Sequence, residues 1–522
     1  MHDAYSGGIM VRLRRFAFAL AFLGLSVAQP SQAEHLSAPV KVSGGKIAGI
    51  DDGTLNIYLG VPFAAPPFGP LRWRSPQAIV PWTGVKQTRT LSSACAPNAD
   101  WLPNPKSEDC LYLNVWAPKS AKDLPVIVWI HGGGYYGGTA GQPVFDGASL
   151  AKHGAVVVTL NYRLGIFGFF SHPELTAESP DNASGNQGIE DQIAALKWVK
   201  GNISVFGGDP TKVTIMGESA GGESVAILVA SPLAKGLFQR AIAESGNDAL
   251  PIEPSEDEQF DRNTAEKQGE TFARSVGATH LSDLRAMSID ELKKKAWSPR
   301  TIVDGHVLKE DLTTTYRNHH QNDVALLVGW NAQEGKDLAP EILDTSDFSA
   351  PKHNERVAKL LGYTPTDLLL RAYPGTTDAE AKASITQLTN DWWGWRMWYW
   401  AGLQARFGHS KSYLYFFAHL PAQLPNCGYG CGVGHGAEVQ YVFDHLDWET
   451  RPWTTQDRQL AFQLADTWVN FAKLGSPDGT GLPDWEAFDG SNASIHQIGS
   501  DADLKVFGHL PDFSLFHQPP QN

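Results

Sequence analysis

The segment "VTIMGESAGGESV" (Val213–Val225) changes character at its midpoint. Val213–Met216 is apolar and rich in β-branched residues, which suits a strand. Beyond Ser219 the chain turns small and then apolar in a way that suits a helix. Ser219 therefore stands at a strand-to-helix join, flanked by Gly217 and Gly221. Either it is an ordinary turn residue, or a sharp, strained turn holds its hydroxyl exposed as a nucleophile. The five-residue pattern does not choose between them. With 51 glycines in 522 residues, a Gly-x-Ser-x-Gly arises by chance in roughly one of three such chains, so the surroundings must decide.

Upstream and downstream, apolar runs alternate with helical patterns. "PVIVWI" and "AVVVTLNYR" read as strands, "DQIAALKWVKGNI" as a helix and "KVTIMG" as the strand before Ser219. A further strand, "VALLVGW", comes late. It is followed by "SYLYFFAHL" and by a helix that places Leu460, Leu464, Trp468 and Phe471 on one stripe. Such alternation predicts an α/β protein with a mostly parallel sheet, helices on its faces and a long insertion before the sheet resumes. In such sheets ligands bind outside the carboxyl ends of the strands, and Ser219 follows one such end.

A serine nucleophile needs a base, an acid to orient the base, and N–H donors for the oxyanion. "WIHGGGYYGG" supplies Gly132, Gly133 and Gly134 after a strand. Glycines without Cβ atoms allow a substrate oxygen to approach their amides. With the N–H of the residue after the nucleophile, the expected oxyanion hole is Gly133, Gly134 and Ala220. In an α/β-hydrolase the chain order is serine, acid, histidine. Glu334 in "VALLVGWNAQEG" lies just beyond a strand, with Asp304, Asp323 and Asp337 as rivals that spacing does not eliminate. His435, in a glycine-rich loop after "SYLYFFAHL", is the candidate base, against the alternative of a solvated loop histidine.

Composition bounds the rest. The chain carries 42 Lys+Arg against 56 Asp+Glu, a net charge of −14, which offers no footprint for nucleic acid. The N-terminus has a basic start, an apolar run from Phe16 to Ala28 and small residues at Ser31 and Ala33. It reads as a secretory signal peptide over residues 1–33, with the start at Met10 and cleavage after Ala33, Ala28 being the second choice. The alternative is an uncleaved anchor, but the run is short for a bilayer, and no other segment is apolar for long enough to span one. Residues 34–522 are expected to form one catalytic domain. Four cysteines remain, Cys95, Cys110, Cys427 and Cys431. An even count in an exported chain suggests disulfides, and sequential pairing is the simplest of three connectivities. Cys427, Cys431 and His435 recur every four residues, but "CGYGCGVGHG" cannot hold the helix that would make them a zinc site, so no metal is expected.

Taken together, these segments resemble the type-B carboxylesterases, the family that includes the cholinesterases. "YLGVPFAAPPFGPLRW", "SEDCLYLNVWAP" and "GNQGIEDQIAALKWVKGNISVFGGDPTKVTIMGESAGGESV" match its N-terminal segment, its cysteine signature and its nucleophile signature. "GWNAQEG", "GHGAEVQYVF" and "TWVNFAKLGSPD" match its acid loop, histidine loop and closing helix. The resemblance covers nearly everything after the leader and implies the α/β-hydrolase fold. It also implies Ser219 as nucleophile, Glu334 as acid, His435 as base, Ser245 supporting the acid and a Cys95–Cys110 disulfide. Cys427 and Cys431 match nothing general in the family, and their pairing is a separate expectation. Glu190 stands where many relatives carry an apolar residue.

The implied activity is hydrolysis of small-molecule carboxylic esters through an acyl-enzyme, without metal or organic cofactor, by a secreted or periplasmic enzyme. Alternatives are a dedicated esterase for a natural-product ester, such as a phenolic ester or a mycotoxin side chain, amide hydrolysis by the same triad, or a catalytically silent recognition module. "NDWWGWRMWYW" carries more indoles than one helix stripe requires. A buried helix is the plain explanation. In relatives the matching region contributes to the acyl pocket, so at least one of Trp392, Trp393 and Trp395 is expected to line it, favouring aromatic or medium-chain esters over acetates.

Overall fold

The strand that leads to Ser219 lies near the middle of a large mixed sheet. The structure, a computed structural model, describes residues 35–516 apart from 98, 100, 101, 103, 104, 248–260 and 422–431. The expected leader and Cys427 and Cys431 lie outside the described residues. Eleven strands build the sheet. The first four are β1 His35–Leu36, β2 Ile50–Asp51, β3 Leu55–Pro62 and β4 Tyr112–Pro118. Then come β5 Leu124–Ile130, β6 Val156–Leu160, β7 Gly208–Glu218 and β8 Arg240–Glu244. β9 Ala325–Asn331, β10 Ser412–Phe417 and β11 Ile495–Ile498 complete it. Their spatial order is β1-β2-β3-β4-β6-β5-β7-β8-β9-β10-β11. The edge from β1 to β4 is antiparallel, and so is the β4–β6 pair; all pairs from β6 to β11 are parallel.

Parallel strands covered on both faces must be apolar on both. In β5, Val126, Val128 and Ile130 enter one core while Ile127 and Trp129 enter the other. The first core takes helices α1 Gln187–Asn202 and α2 Ala220–Ala230. Further helices are α3 Arg262–Ser275, α4 Glu334–Leu343 and α5 Asp378–Phe407. α4 and α5 also pack on that first face through Leu338, Ala339, Trp395 and Trp400. The opposite face is covered by α6 Thr455–Leu474, whose Leu464, Trp468 and Phe471 are buried as the stripe predicts. α6 starts at a capping box between Thr454 and Asp457 and stops at Gly475, whose φ of 76° is cheap only for glycine.

A third apolar cluster joins Trp73, Phe167 and Phe170 to Phe272 on α3. Glu190 lies on the first turn of α1 and accepts a hydrogen bond from Ser75 Oγ at 2.8 Å. Among the described residues no helix is long and apolar enough to cross a membrane.

Cys95 and Cys110 are joined, with Cα atoms 5.0 Å apart and both residues buried. The bond closes a loop of sequence separation 15. Replacing both cysteines by alanine is therefore expected to lower the unfolding free energy by about 3 kcal/mol. Denaturant midpoints of oxidised wild type and double variant measure this; coincident midpoints would show that the bond carries no stability.

Candidate active site

The join between β7 and α2 is made by one residue. Ser219 has φ 57° and ψ −126°, a conformation that costs a serine about 1–3 kcal/mol. The flanking glycines make it sterically possible. A Cβ on Gly217 would lie 2.5 Å from Gly221 C, and one on Gly221 would lie 2.1 Å from Ile130 O. The backbone of α2 thus crosses the end of β5 in contact. Ser219 N–H donates to Glu244 O at 2.9 Å, tying the turn to β8.

Gly132 packs against the same turn: a Cβ there would lie 2.6 Å from Glu218 O and 3.0 Å from Ser219 Cβ. Gly133 and Gly134 follow with φ of 107° and 58°. Ala220 opens α2, where first-turn N–H groups have no partner inside the helix. Of the expected oxyanion residues, Ala220 follows Ser219 directly, and Gly133 and Gly134 follow Gly132, the glycine that packs against the serine turn.

Glu334 opens α4 just beyond β9 and is fully buried. Its Oε2 is 2.6 Å from His435 Nδ1, and its Oε1 accepts from Ser245 Oγ at 2.6 Å and Asn331 N–H at 2.8 Å. Asp337, one turn further along α4, accepts instead from the His435 backbone N–H at 3.3 Å. Asp304 accepts from the N–H groups of His306 and Leu308, and Asp323 from those of His409 and Ser410. Of the four acids raised by spacing, Glu334 alone is hydrogen-bonded to the imidazole.

The other face of the ring meets a residue that sequence reasoning passed over. His435 Nε2 lies 3.2 Å from Glu218 Oε1 and makes no hydrogen bond among the described residues, Ser219 Oγ included. Two further acids, Glu438 and Glu244, are buried here, and Glu223 is half-buried. Glu438 accepts from Asn331 Nδ2, and Ser245 Oγ lies 3.4 Å from its Oε1. Glu244 accepts from Trp468 Nε1 at 2.7 Å. Glu223, one turn beyond Ser219, has an oxygen 3.7 Å from Arg396. Burial pushes the Glu218 carboxyl up to about 7 and Glu438 up to about 8, and raises Glu223 and Glu244 as well. For His435 burial alone would disfavour the cation, but the charges of Glu218 and Glu334 outweigh it and raise the ring to about 10. Glu218 and Glu438 sit inside "GES" and "HGAE", yet nothing in spacing alone marks either as a neighbour of the imidazole.

The three tryptophans part company. The edge of Trp393 meets His435 at a centroid distance of 6.0 Å, and its Nε1 donates to Ser245 O at 2.7 Å. Trp392 and Trp393 both present ring faces to the Arg396 guanidinium, at 5.0 and 4.8 Å. Trp395 has no exposed surface and stacks on Phe516 at 5.6 Å. Contrary to its inclusion among the pocket candidates, Trp395 is a core side chain with no face to offer a substrate.

The family model described as "Carboxylesterase family" matches residues 37–510. The fumonisin B1 esterase of Sphingopyxis macrogoltabida is 34% identical over 505 residues, covering 88% of this chain and 87% of that protein. The para-nitrobenzyl esterase of Bacillus subtilis is 33% identical over 472 residues, covering 85% and 91%. A solved PNB esterase structure superposes with a TM-score of 0.73 at 32% identity, covering 86% of this chain and 93% of the other.

Of the carboxylate charges that raise the His435 ring, that of Glu218 is the largest. Glu218→Gln is therefore expected to let the ring lose its proton at lower pH than in the wild type. Histidine-labelled NMR titrations of both proteins measure this, and an unchanged midpoint would remove Glu218 from the account.

Proposed function

The chain belongs to the carboxylesterase family, has the α/β-hydrolase fold and is a carboxylic ester hydrolase, and from that premise we propose that Ser219, His435 and Glu334 carry the reaction. The observation that carries the reading is the 2.6 Å contact of Glu334 with His435 Nδ1, beside a serine held at φ 57°. Ser219 Oγ attacks the ester carbonyl while His435 Nε2 takes its proton. The oxyanion forms against the amides of Gly133, Gly134 and Ala220. His435 then returns the proton to the leaving alkoxide, and the acyl-enzyme is hydrolysed by water activated in the same way.

To act as a base the ring must be neutral and its Nε2 must reach Ser219. In the resting geometry Nε2 faces Glu218 at 3.2 Å. Hydrogen bonds of this kind tighten when substrate binds. Protonation of Glu218, held near 7 by burial, removes one of the charges that keep the ring protonated. Ser245 and Asn331 hold the Glu334 carboxylate in place through its other oxygen.

Residues 1–33 act as a leader for export, with Met10 as the start, and residues 34–522 form the secreted or periplasmic catalytic domain. A disulfide between Cys95 and Cys110 is compatible with an oxidising compartment. A natural-product ester as the preferred substrate is favoured by the 34% identity to an esterase named for fumonisin B1. Trp393, at the edge of His435, forms part of the acyl wall.

Ser219→Ala is expected to lower kcat/KM by at least about 10⁴-fold and to abolish labelling by a fluorophosphonate, with melting unchanged or raised. Residual turnover near the wild-type rate would exclude Ser219. Glu334→Gln is expected to retain a slower activity, reduced by roughly 10²–10⁴-fold, and Asp304→Asn to cost far less. The reverse ranking would move the acid elsewhere. Trp393→Ala is expected to reorder the kcat/KM ranking of acyl groups on a constant alcohol, whereas Trp395→Ala lowers stability with the ranking kept. An unaltered ranking in Trp393→Ala would confine that residue to packing.

A further inference from the structure

Asn390, Trp393, Gly394 and Met397 follow the i, i+3, i+4, i+7 spacing of one helix face on α5. Each meets a different part of the structure around Glu334. Asn390 Oδ1 accepts from Gly335 N–H at 2.6 Å, and Trp393 Nε1 donates to Ser245 O at 2.7 Å. Gly394 lets the helix backbone lie on β9, since a Cβ there would be 2.6 Å from the Trp330 indole. Met397 Sδ accepts from Asn247 Nδ2 at 3.3 Å. Asn390 and Trp393 are both buried.

The first of these contacts supplies a cap that α4 does not make for itself. Glu334 is the first residue of α4, and Gln333 before it makes no side-chain capping bond. First-turn N–H groups have no partner inside the helix. The Asn390 amide takes that of Gly335, across 55 residues of chain. The approach is close because Gly335 has no side chain: a Cβ there would lie 2.1 Å from Thr386 O on α5. The second contact fixes the donor on the other side of the acid. Ser245 has φ 50°, a left-handed strain that persists only where the surroundings over-determine it. Its N–H donates to Gly329 O at 2.9 Å while its carbonyl accepts from the Trp393 indole. With both backbone groups held, its Oγ meets Glu334 Oε1 at 2.6 Å. Arg396 braces the indole, lying over its face at 4.8 Å and donating to Asn247 O.

We infer that Asn390 and Trp393 are positioning residues for the acid of the reaction, acting through Gly335 and Ser245. The inference rests on Glu334 being that acid. A carboxylate on the first residue of a helix moves with the helix start, and a serine donor moves with its own backbone. Asn390 tethers the one and Trp393 the other, from a single face of α5. The two ends of Trp393 serve different purposes: its N–H holds Ser245, while its ring edge stands at His435. Positioning of this kind matters because a base is effective only when its partner fixes its orientation.

The test compares the wild type, Asn390→Ala and Trp393→Phe, each with and without Glu334→Gln, on p-nitrophenyl alkanoates of increasing acyl length. Trp393→Phe keeps an aromatic ring and removes the N–H. Rates are taken per serine titrated with a fluorophosphonate, so that only folded, competent enzyme is counted. Each single variant is expected to lower kcat about 10- to 100-fold, the scale of a small misplacement of a catalytic group, with KM changed less. The factor is expected to be the same for every acyl length, because the tethers act on the acid. In the Glu334→Gln background both losses are expected to shrink towards none. The resonance of the proton between His435 Nδ1 and Glu334 is expected to move upfield in both variants. Wild-type kcat in either variant removes that residue from the inference, and losses undiminished in the Glu334→Gln background overturn it altogether. Wild-type kcat in Glu334→Gln itself would instead overturn the choice of acid.

Discussion

The close crossing of α2 over the end of β5 sets the geometry of everything around it. The chain reverses from strand to helix within a single residue because Gly217 and Gly221 let backbone meet backbone. A Cβ at Gly221 would lie 2.1 Å from the Ile130 carbonyl oxygen, far inside van der Waals contact. Ser219 absorbs the reversal by adopting a left-handed φ, and its N–H is anchored to the Glu244 carbonyl. Strain of this kind persists only where the surroundings over-determine the conformation. Here two strands and the first turn of a buried helix do so. Gly132, at the start of the glycine turn, packs against the same corner, next to Glu218 O and Ser219 Cβ.

Electrostatics then sorts the acids. Several carboxyl groups are buried within reach of one imidazole, and ionising all of them away from water would be prohibitive. Glu334 is the one supplied with three donors, from Ser245, Asn331 and His435. Glu218 and Glu438 have fewer, and burial pushes both toward or above neutrality. Glu334 is distinguished from its neighbours by the donors it receives, since Glu218 and Glu438 are glutamates in the same buried region. Arg396 adds a cation on the Trp392 and Trp393 side, near Glu223, so charge of both signs surrounds the α2 terminus.

Much of the fold is legible from local pattern. The runs at 125–130, 156–160 and 325–331 are strands, and the stripe through Leu464, Trp468 and Phe471 is buried. Such features depend on side-chain periodicity within one element, which the chain displays directly. The candidate site is legible in its parts. Choosing Glu334 over Asp337 is a different matter, because the two lie three residues apart on one helix and both contact the histidine loop, one at the ring and the other at the backbone. The tryptophan-rich helix shows the same limit. Trp392, Trp393 and Trp395 are near neighbours in the chain, but rotation about the helix axis sends Trp393 to His435 and Trp395 to Phe516.

By itself the sequence determined the strand and helix pattern, the position of the strand-to-helix join at Ser219 and the segments that match the carboxylesterase family. Each of these is a property of short stretches, set by apolar periodicity and by where glycine permits backbone contact. The resemblance pointed to Glu334, and tertiary structure showed its contact with the imidazole across 101 residues of chain; tertiary structure alone decided that Glu218 faces the other nitrogen and which indole stands beside the ring. The physical reason is that proton affinity and charge complementarity depend on burial and on distances of a few ångströms between residues far apart in the chain, and those distances exist only once the sheet has assembled.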